Sequence, residues 1–299
     1  MDWDDLRVFL AVARAESLSA AARVLKCDAA TVGRRVARLE EDLGAKLFLK
    51  SPQGYRLTEP GRRLIPHAET AEQAMSGAAE ELSGQTGGLS GQIRIGAPDG
   101  CANYVLPQVC GAICDANPGL EIQILALPRM VNLSKREADF AITVSRPTGG
   151  RLTVQKLADY ALHLAGDRSY LATHPPIAAL ADLRGHRMIG YIPDMIFDRE
   201  LDYLAETGAP TVDLASNSVA VQMQMVRAGA GLGIVHDFAI PACPDVVRVL
   251  PEAIALRRTF WLVRHADDRR SERLTRFAEA FAQATRTEIA RLETLAAGQ

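Results

Sequence analysis

The sequence predicts an α + α/β chain with an N-terminal winged helix-turn-helix, a long linker helix and a two-lobed α/β domain. Three observations predict it. Residues 17–61, SLSAAARVLKCDAATVGRRVARLEEDLGAKLFLKSPQGYRLTEPG, hold two short amphipathic helical patterns split by a tight turn, then a hairpin. Residues 84–91, GQTGGLSG, have no periodicity and mark a Gly/Ser hinge. Beyond the hinge, short apolar strands alternate with helical stretches, the pattern of largely parallel sheets. At 299 residues the chain is too long for one small core.

Residues 4–15 predict a first helix with Leu6, Phe9, Leu10 and Ala13 inward. Ser19 is placed to cap a helix from Ala20 to Lys26, with Ala21, Ala22 and Leu25 inward. Cys27 and Asp28 form the turn, and Asp28 caps a third helix from Ala29 to about Asp42. In that helix Val32, Val36 and Leu39 make one apolar stripe, while Thr31, Arg34, Arg35 and Arg38 lie on the other face. Leu47–Leu49 and Tyr55–Leu57 read as two strands joined by the turn Ser51-Pro52-Gln53-Gly54. That hairpin is the wing.

A helix with one apolar and one cationic face, entered through a tight turn, fits the major groove of double-stranded DNA. Lys50 and Arg56 on the wing suit phosphates. From Arg23 to Arg63 there are ten cations against five carboxylates, in a chain whose net charge is −2. Such local positive charge on a near-neutral molecule suits a DNA reader. The competing reading is a helical bundle with solvated arginines.

Thr58-Glu59-Pro60-Gly61 opens a further helix running to about Ser83, with Pro60 in its first turn. Leu64, Ala68, Ala71, Met75, Ala78 and Leu82 alternate steps of four and three, a heptad-like seam. It predicts a dimer-forming linker, so that two recognition helices read an inverted repeat. The alternative is a helix packed on its own domain. The expected domains are 1–58 (winged helix-turn-helix), 59–84 (linker), 85–91 (hinge) and 92–299.

In the last domain Gln92–Ala97, Leu120–Ala126 and Phe140–Val144 read as strands, and Tyr104–Asp115 as a helix. A second unit starts near Tyr160. It comprises the strand Ala161–Ala165, a helix after Ser169, the strand Arg187–Tyr191, a helix from Val219 and the strand Gly233–Val235. Thr259–Arg264 returns as a strand to the first unit, and Arg269 to about Ala296 closes the chain as a helix with Leu274, Phe277 and Phe281 inward. The lobes are expected at 92–160 with 265–299, and at 161–264.

Residues 3–61 resemble the N-terminal domain of LysR-type transcriptional regulators, through DLRVFLAVARAESLSAAARVL, TVGRRVARLEEDLGAKLF and GYRLTEPG. The resemblance continues through GQIRIGAP, ADFAIT and GAGLGI. It implies a sequence-specific regulator, a periplasmic-binding-protein-like effector domain, and a homodimer or homotetramer. The chain departs from the family's usual residues at Gly33 (Ser), Ala29-Ala30 (Gln-Pro), Thr143 (Arg) and His236-Asp237 (Leu-Pro). Without hydroxyl and amide groups at Gly33 and Ala29-Ala30, either the DNA sequence read there differs or readout leans more on DNA shape and on Arg34. The candidate DNA-contacting set is Ser19, Ala29, Ala30, Thr31, Gly33, Arg34, Arg35, Arg38, Lys50 and Arg56.

Ligands in two-lobed α/β folds sit at strand carboxyl ends beside helix N-termini. The loop Pro98-Asp99-Gly100-Cys101 leads into a helix there, with Asp99 as its cap. Asn217-Ser218 precede another, Ser145 and Arg146 end the third strand, and Ile192 offers a wall. Cys101 reads as a buried thiol, with a thiol sensor as the alternative.

The sequence carries no P-loop, no Gly-x-Gly-x-x-Gly after a strand, no His-Glu-x-x-His and no Gly-x-Ser-x-Gly. His236-Asp237 are acid-histidine neighbours, but adjacent strand residues face opposite sides. No catalysis, cofactor or metal is therefore expected. Five scattered cysteines suggest thiols rather than disulfides. The acidic start and the lack of an apolar run of roughly 18 residues predict a cytoplasmic protein with no membrane contact. A solute-binding protein with an idle helical N-terminus is the rival reading.

Overall fold

A computed structural model describes residues 2–51, 54–82, 88–127, 138–204, 212–266, 268 and 271–298. The chain divides into two compact units, 1–86 and 87–299. Pro52 and Gln53 of the wing turn, residues 84–87 of the expected hinge, and Arg269 lie outside the described residues.

In the first unit α1 (Trp3–Ala15) starts where Asp2 accepts from the Asp4 amide, and ends at Glu16 in the left-handed region. Helix α2 (Leu18–Leu25) is capped by Ser17, whose hydroxyl accepts from the Ala20 amide. This corrects the expected Ser19 cap: both serines can cap, and Ser17 has the extended backbone the position needs. Helix α3 (Ala29–Leu43) runs from its Asp28 cap to Gly44 at φ 60°. Val32, Val36 and Leu39 are buried as the spacing predicts. Strands β1 (Phe48–Ser51) and β2 (Gly54–Leu57) pair antiparallel with Ser51 opposite Gly54. Leu47, expected in the strand, precedes it.

Phe48 meets Phe9 at a tilt with centroids 5.4 Å apart and meets Tyr55 edge-on, so the wing is pinned to the helical core. The Tyr55 amide donates to the Glu16 carbonyl at 2.8 Å. Gly54 makes that approach possible: a Cβ there would stand 2.4 Å from the Glu16 oxygen, at φ 128°.

Helix α4 (Glu59–Leu82) follows. Its expected seam splits. Ala68 is fully buried in the winged-helix core, and Leu64 and Ala71 pack on it. These three are used within their own unit, as the alternative reading had it. Met75 is 52% exposed. The side chains of Ala78 and Leu82 lie outside the description.

The second unit begins with β3 (Gly91–Pro98). The helix expected over Tyr104–Asp115 is α6 (Leu106–Ala116), and a further short helix, α5 (Asp99–Tyr104), precedes it across a break at Val105. Pro107, with no amide hydrogen, suits the first turn of α6 and signals the break. Asp99, Gly100 and Cys101 are thus the first turn of α5 rather than a loop before a helix. Then come β4 (Leu120–Leu127), β5 (Phe140–Thr143), β6 (Leu152–Asp167), α7 (Arg168–Thr173), β7 (Met188–Gly190) and β8 (Leu214–Ala215). The chain continues with α8 (Val219–Arg227), β9 (Leu232–His236), β10 (Val246–Arg248), β11 (Ala255–His265) and α9 (Glu272–Ala297).

The strands run β4-β3-β5-β11-β6-β9-β7-β8, with β10 also on β6. β3 pairs parallel with β4 and β5, and β7 pairs parallel with β8 and β9. β6 and β11 are longer than the sequence suggested and pair antiparallel along their length. One end of this ribbon carries β5 and the other carries β9, so two lobes share it. The register slips between Phe260 and Trp261, leaving Leu157 out of the ladder. Arg286 of α9 donates to the Leu157 carbonyl at 2.8 Å. Phe277 of α9 meets Phe140 at 5.4 Å, and Leu274 and Phe281 are buried beside it, as the spacing predicts.

Candidate nucleic-acid interface and ligand cleft

The head of α3 is a chain of polar contacts. Asp28 accepts from the Thr31 amide at 2.7 Å and from the Thr31 hydroxyl at 2.8 Å. These hydrogen bonds hold its carboxyl below the ordinary value. Arg34 donates to the Thr31 hydroxyl at 2.9 Å. An exposed guanidinium is thereby fixed one turn into the helix, beside exposed Ala30 and half-buried Ala29.

The other arginines are held differently. Arg38 makes a two-pronged pair with Asp5, at 2.5 and 2.6 Å, and Asp5 is fully buried. Arg35 meets Asp4 at 2.9 Å. In the fold the acids of the N-terminus, Asp4 and Asp5, hold these two α3 arginines. Gly33 faces α2, where a Cβ would meet Leu18 at an ordinary 3.5 Å. Ser19 is exposed on α2. Lys50 pairs with Tyr55 and Arg56 with Leu49, so the two exposed cations lie on opposite faces of the ribbon.

Glu40 was missed. Its buried carboxylate accepts from the Leu47 and Phe48 amides at 2.8 and 3.2 Å and from Lys46 at 2.6 Å. It fixes where the wing leaves α3. The Glu40-to-Leu47 separation hides this contact from any local pattern.

In the second unit the structure brings Asp99 and Ser218 together from opposite lobes. Asp99 accepts from the Ser218 hydroxyl at 2.8 Å and the Ala220 amide at 2.9 Å. Its own helix has no side-chain cap, so Asp99 caps α8 instead of α5. Ser218 in turn accepts from the Val221 amide at 3.2 Å, and Asn217 lies just before it. A second link runs the other way: the Ser145 hydroxyl donates to Asp198. Asp198 lies 53 residues from Ser145, so no local pattern points to it.

Other candidates lie apart from these contacts. Arg146 is exposed, with its guanidinium 5.5 Å from the Trp261 ring. Ile192 is half-buried before a 3-10 turn at Pro193–Met195. Pro98 ends β3. Cys101 is fully buried, and desolvation pushes its thiol far above the ordinary value, so it forms no thiolate near neutral pH. All five cysteines are free.

Thr143 turns back to the Ser145 carbonyl at 2.7 Å. His236 is buried between Tyr160, at 5.3 Å, and Phe238, at 4.8 Å. Burial lowers its pKa to about 3, so it is neutral. Asp237, also buried, takes His163 at 2.8 Å and Arg248 at 2.8 Å. That histidine–acid contact joins distant residues, and neighbour spacing could not reveal it.

Two family models match the chain. Residues 3–62 match "Bacterial regulatory helix-turn-helix protein, lysR family", and residues 86–286 match "LysR substrate binding domain". The Mau operon transcriptional activator of Paracoccus denitrificans is 28% identical over 287 residues, 95% of this chain and 98% of that protein. The HTH-type transcriptional regulator DgdR of Burkholderia cepacia is 30% identical over 254 residues, 81% and 80% of the two chains. A full-length OxyR variant from Pseudomonas aeruginosa has a TM-score of 0.70 at 18% identity, covering 95% of this chain and 94% of that one. ArgP from Mycobacterium tuberculosis gives 0.69 at 20%, covering 95% and 97%. Among the described residues no helix is long and apolar enough to cross a membrane.

Proposed function

Since the chain belongs to the LysR family of bacterial regulators, with a helix-turn-helix DNA-binding domain and an effector-binding domain, we propose that it reads an inverted repeat through the head of α3. Thr31 and Arg34 meet base edges, with Ala29 and Ala30 beside them. Lys50 and Arg56 meet phosphates on either side of the wing ribbon. Arg35 and Arg38 chiefly hold α3 against α1. The effector sits between the lobes, near Asp99, Ser145 and Ser218, and a homodimer or homotetramer presents the paired heads. An effector that favours one lobe arrangement changes operator affinity by the same free energy.

The observation that carries this reading is the fixed Arg34. A guanidinium held by Thr31 is oriented before DNA arrives, which suits a bidentate guanine contact. The test is genomic footprinting of the full chain, followed by titration of the operator found. Arg34→Ala should weaken operator binding by about 1–3 kcal/mol and relax sequence preference at one position. Lys50→Ala should weaken all sequences evenly and lower the salt slope by about 1. Wild-type binding by both variants would overturn the groove assignment.

A further inference from the structure

The N-terminus of α8 is a place where an anion is favoured, because backbone amides there lack partners within the helix. In this chain the place is already taken. Asp99, from the opposite lobe, accepts the Ala220 amide at 2.9 Å and the Ser218 hydroxyl at 2.8 Å. Asn103 donates to its other oxygen at 2.9 Å and so steers the carboxylate. The Ser218 hydroxyl accepts the next amide, Val221, at 3.2 Å. One internal carboxylate and one hydroxyl therefore cover two successive amides of the first turn.

Among the described residues no cation pairs with the Asp99 carboxylate, whose partners are Ser218, the Ala220 amide and Asn103. A Cβ on Gly100 would stand 3.2 Å from Val219 and 3.4 Å from the His236 ring, so backbone and ring approach closely here. His236 is neutral, and its buried Nδ1 has no hydrogen-bond partner among the described residues. Arg146, the cation suggested by sequence, lies over Trp261. A ligand carboxylate arriving at the α8 amides would meet Asp99 at hydrogen-bond range, and like charges at such range repel.

We infer that Asp99 is a specificity-determining residue: its side chain occupies the anion position of the cleft and excludes carboxylate effectors. The effector it admits is uncharged, or bears an amine that can take Asp99 as its partner. This rests on the cleft being the effector site, as proposed above. It adds the class of ligand and the residue that sets it.

The experiment is thermal melting of the full chain in acetate and in benzoate, at ionic strength matched with chloride, for wild type, Asp99→Ser and Asp99→Asn. Wild type should show no saturable rise in Tm with either carboxylate. Asp99→Ser, which removes the resident charge and leaves the α8 amides open, should bind benzoate at least tenfold more tightly than wild type. Should that variant not fold, Asp99→Asn tests the charge alone: its amide still fills the position, so benzoate should bind more tightly than to wild type, though without the tenfold gain. A saturable rise in wild type equal to the variant's overturns the inference, and so does a flat response in every variant that folds. No DNA enters the measurement, so it can fail while operator binding succeeds, and the reverse.

Discussion

At residue 40 a carboxylate leaves α3 pointing inward and collects the first two amides of the wing. Burial disfavours its charge, but Lys46 and the Leu47 and Phe48 amides outweigh that, and its pKa falls below the ordinary 4.5. A carboxyl with a lowered folded value stabilises the fold above its unfolded value and loses that contribution as pH falls through the folded one. Glu40→Gln should therefore cost about 1–3 kcal/mol at pH 7, the range for hydrogen bonds to a charged group. The gap between variant and wild type should close in urea melts taken below about pH 4. An unchanged gap would mean the amides, not the charge, carry the contact. Residues whose partners lie within a turn were legible from sequence: Asp28 with Thr31 is one. Glu40, Asp5 and Asp198 were not, because each acts on residues far along the chain. Asp99 was read as a cap, which it is, but on the wrong helix.

Among the elements, α3 was readable because its cap, its stripe and its terminal glycine are all local. Helix α6 was legible as the helix expected over Tyr104–Asp115, whereas α5 fell on the expected loop, because six residues are too few to show a helical period. β6 was read as five residues because its first half mixes polar with apolar positions, being only half-buried up to Lys156. Helix α4 shows a different limit. Its repeat is real, yet the repeat does not say which partner it meets. Ala68 is spent on the winged-helix core, while Met75 is exposed. Ala68→Leu should overpack that core and cost about 1–3 kcal/mol. Met75→Glu should leave the melting of the fold unchanged and shift sedimentation towards monomer. Unaltered sedimentation would move self-association away from this part of α4.

For the whole molecule, two compact units imply two separable activities. Residues 88–299 alone should bind effector and fail to shift operator DNA, whereas operator binding by that fragment would sink the assignment of the winged helix. The second unit should also sense acid through His236. This ring is neutral in the fold with a pKa near 3, against an ordinary 6.5. As pH falls below about 6.5 the unfolded chain gains a proton the folded chain refuses, so stability drops by up to about 1.4 kcal/mol per pH unit until the lower value is reached. Urea melts of wild type and His236→Phe between pH 7 and 4.5 should diverge by this slope, with the variant the flatter. Parallel curves would show that His236 accepts a proton in place.

The slipped register at Phe260 and Trp261 lies between the points where β5 and β9 join the shared ribbon. Every rung on either side ties two backbones; Leu157 instead gives its oxygen to a guanidinium on a long, adjustable stem. A twist of one lobe against the other at this point strains a side-chain contact before it breaks a backbone one. If effector binding turns the lobes as proposed, this is the joint with the most slack, and α9, which supplies Arg286, is placed to feel it.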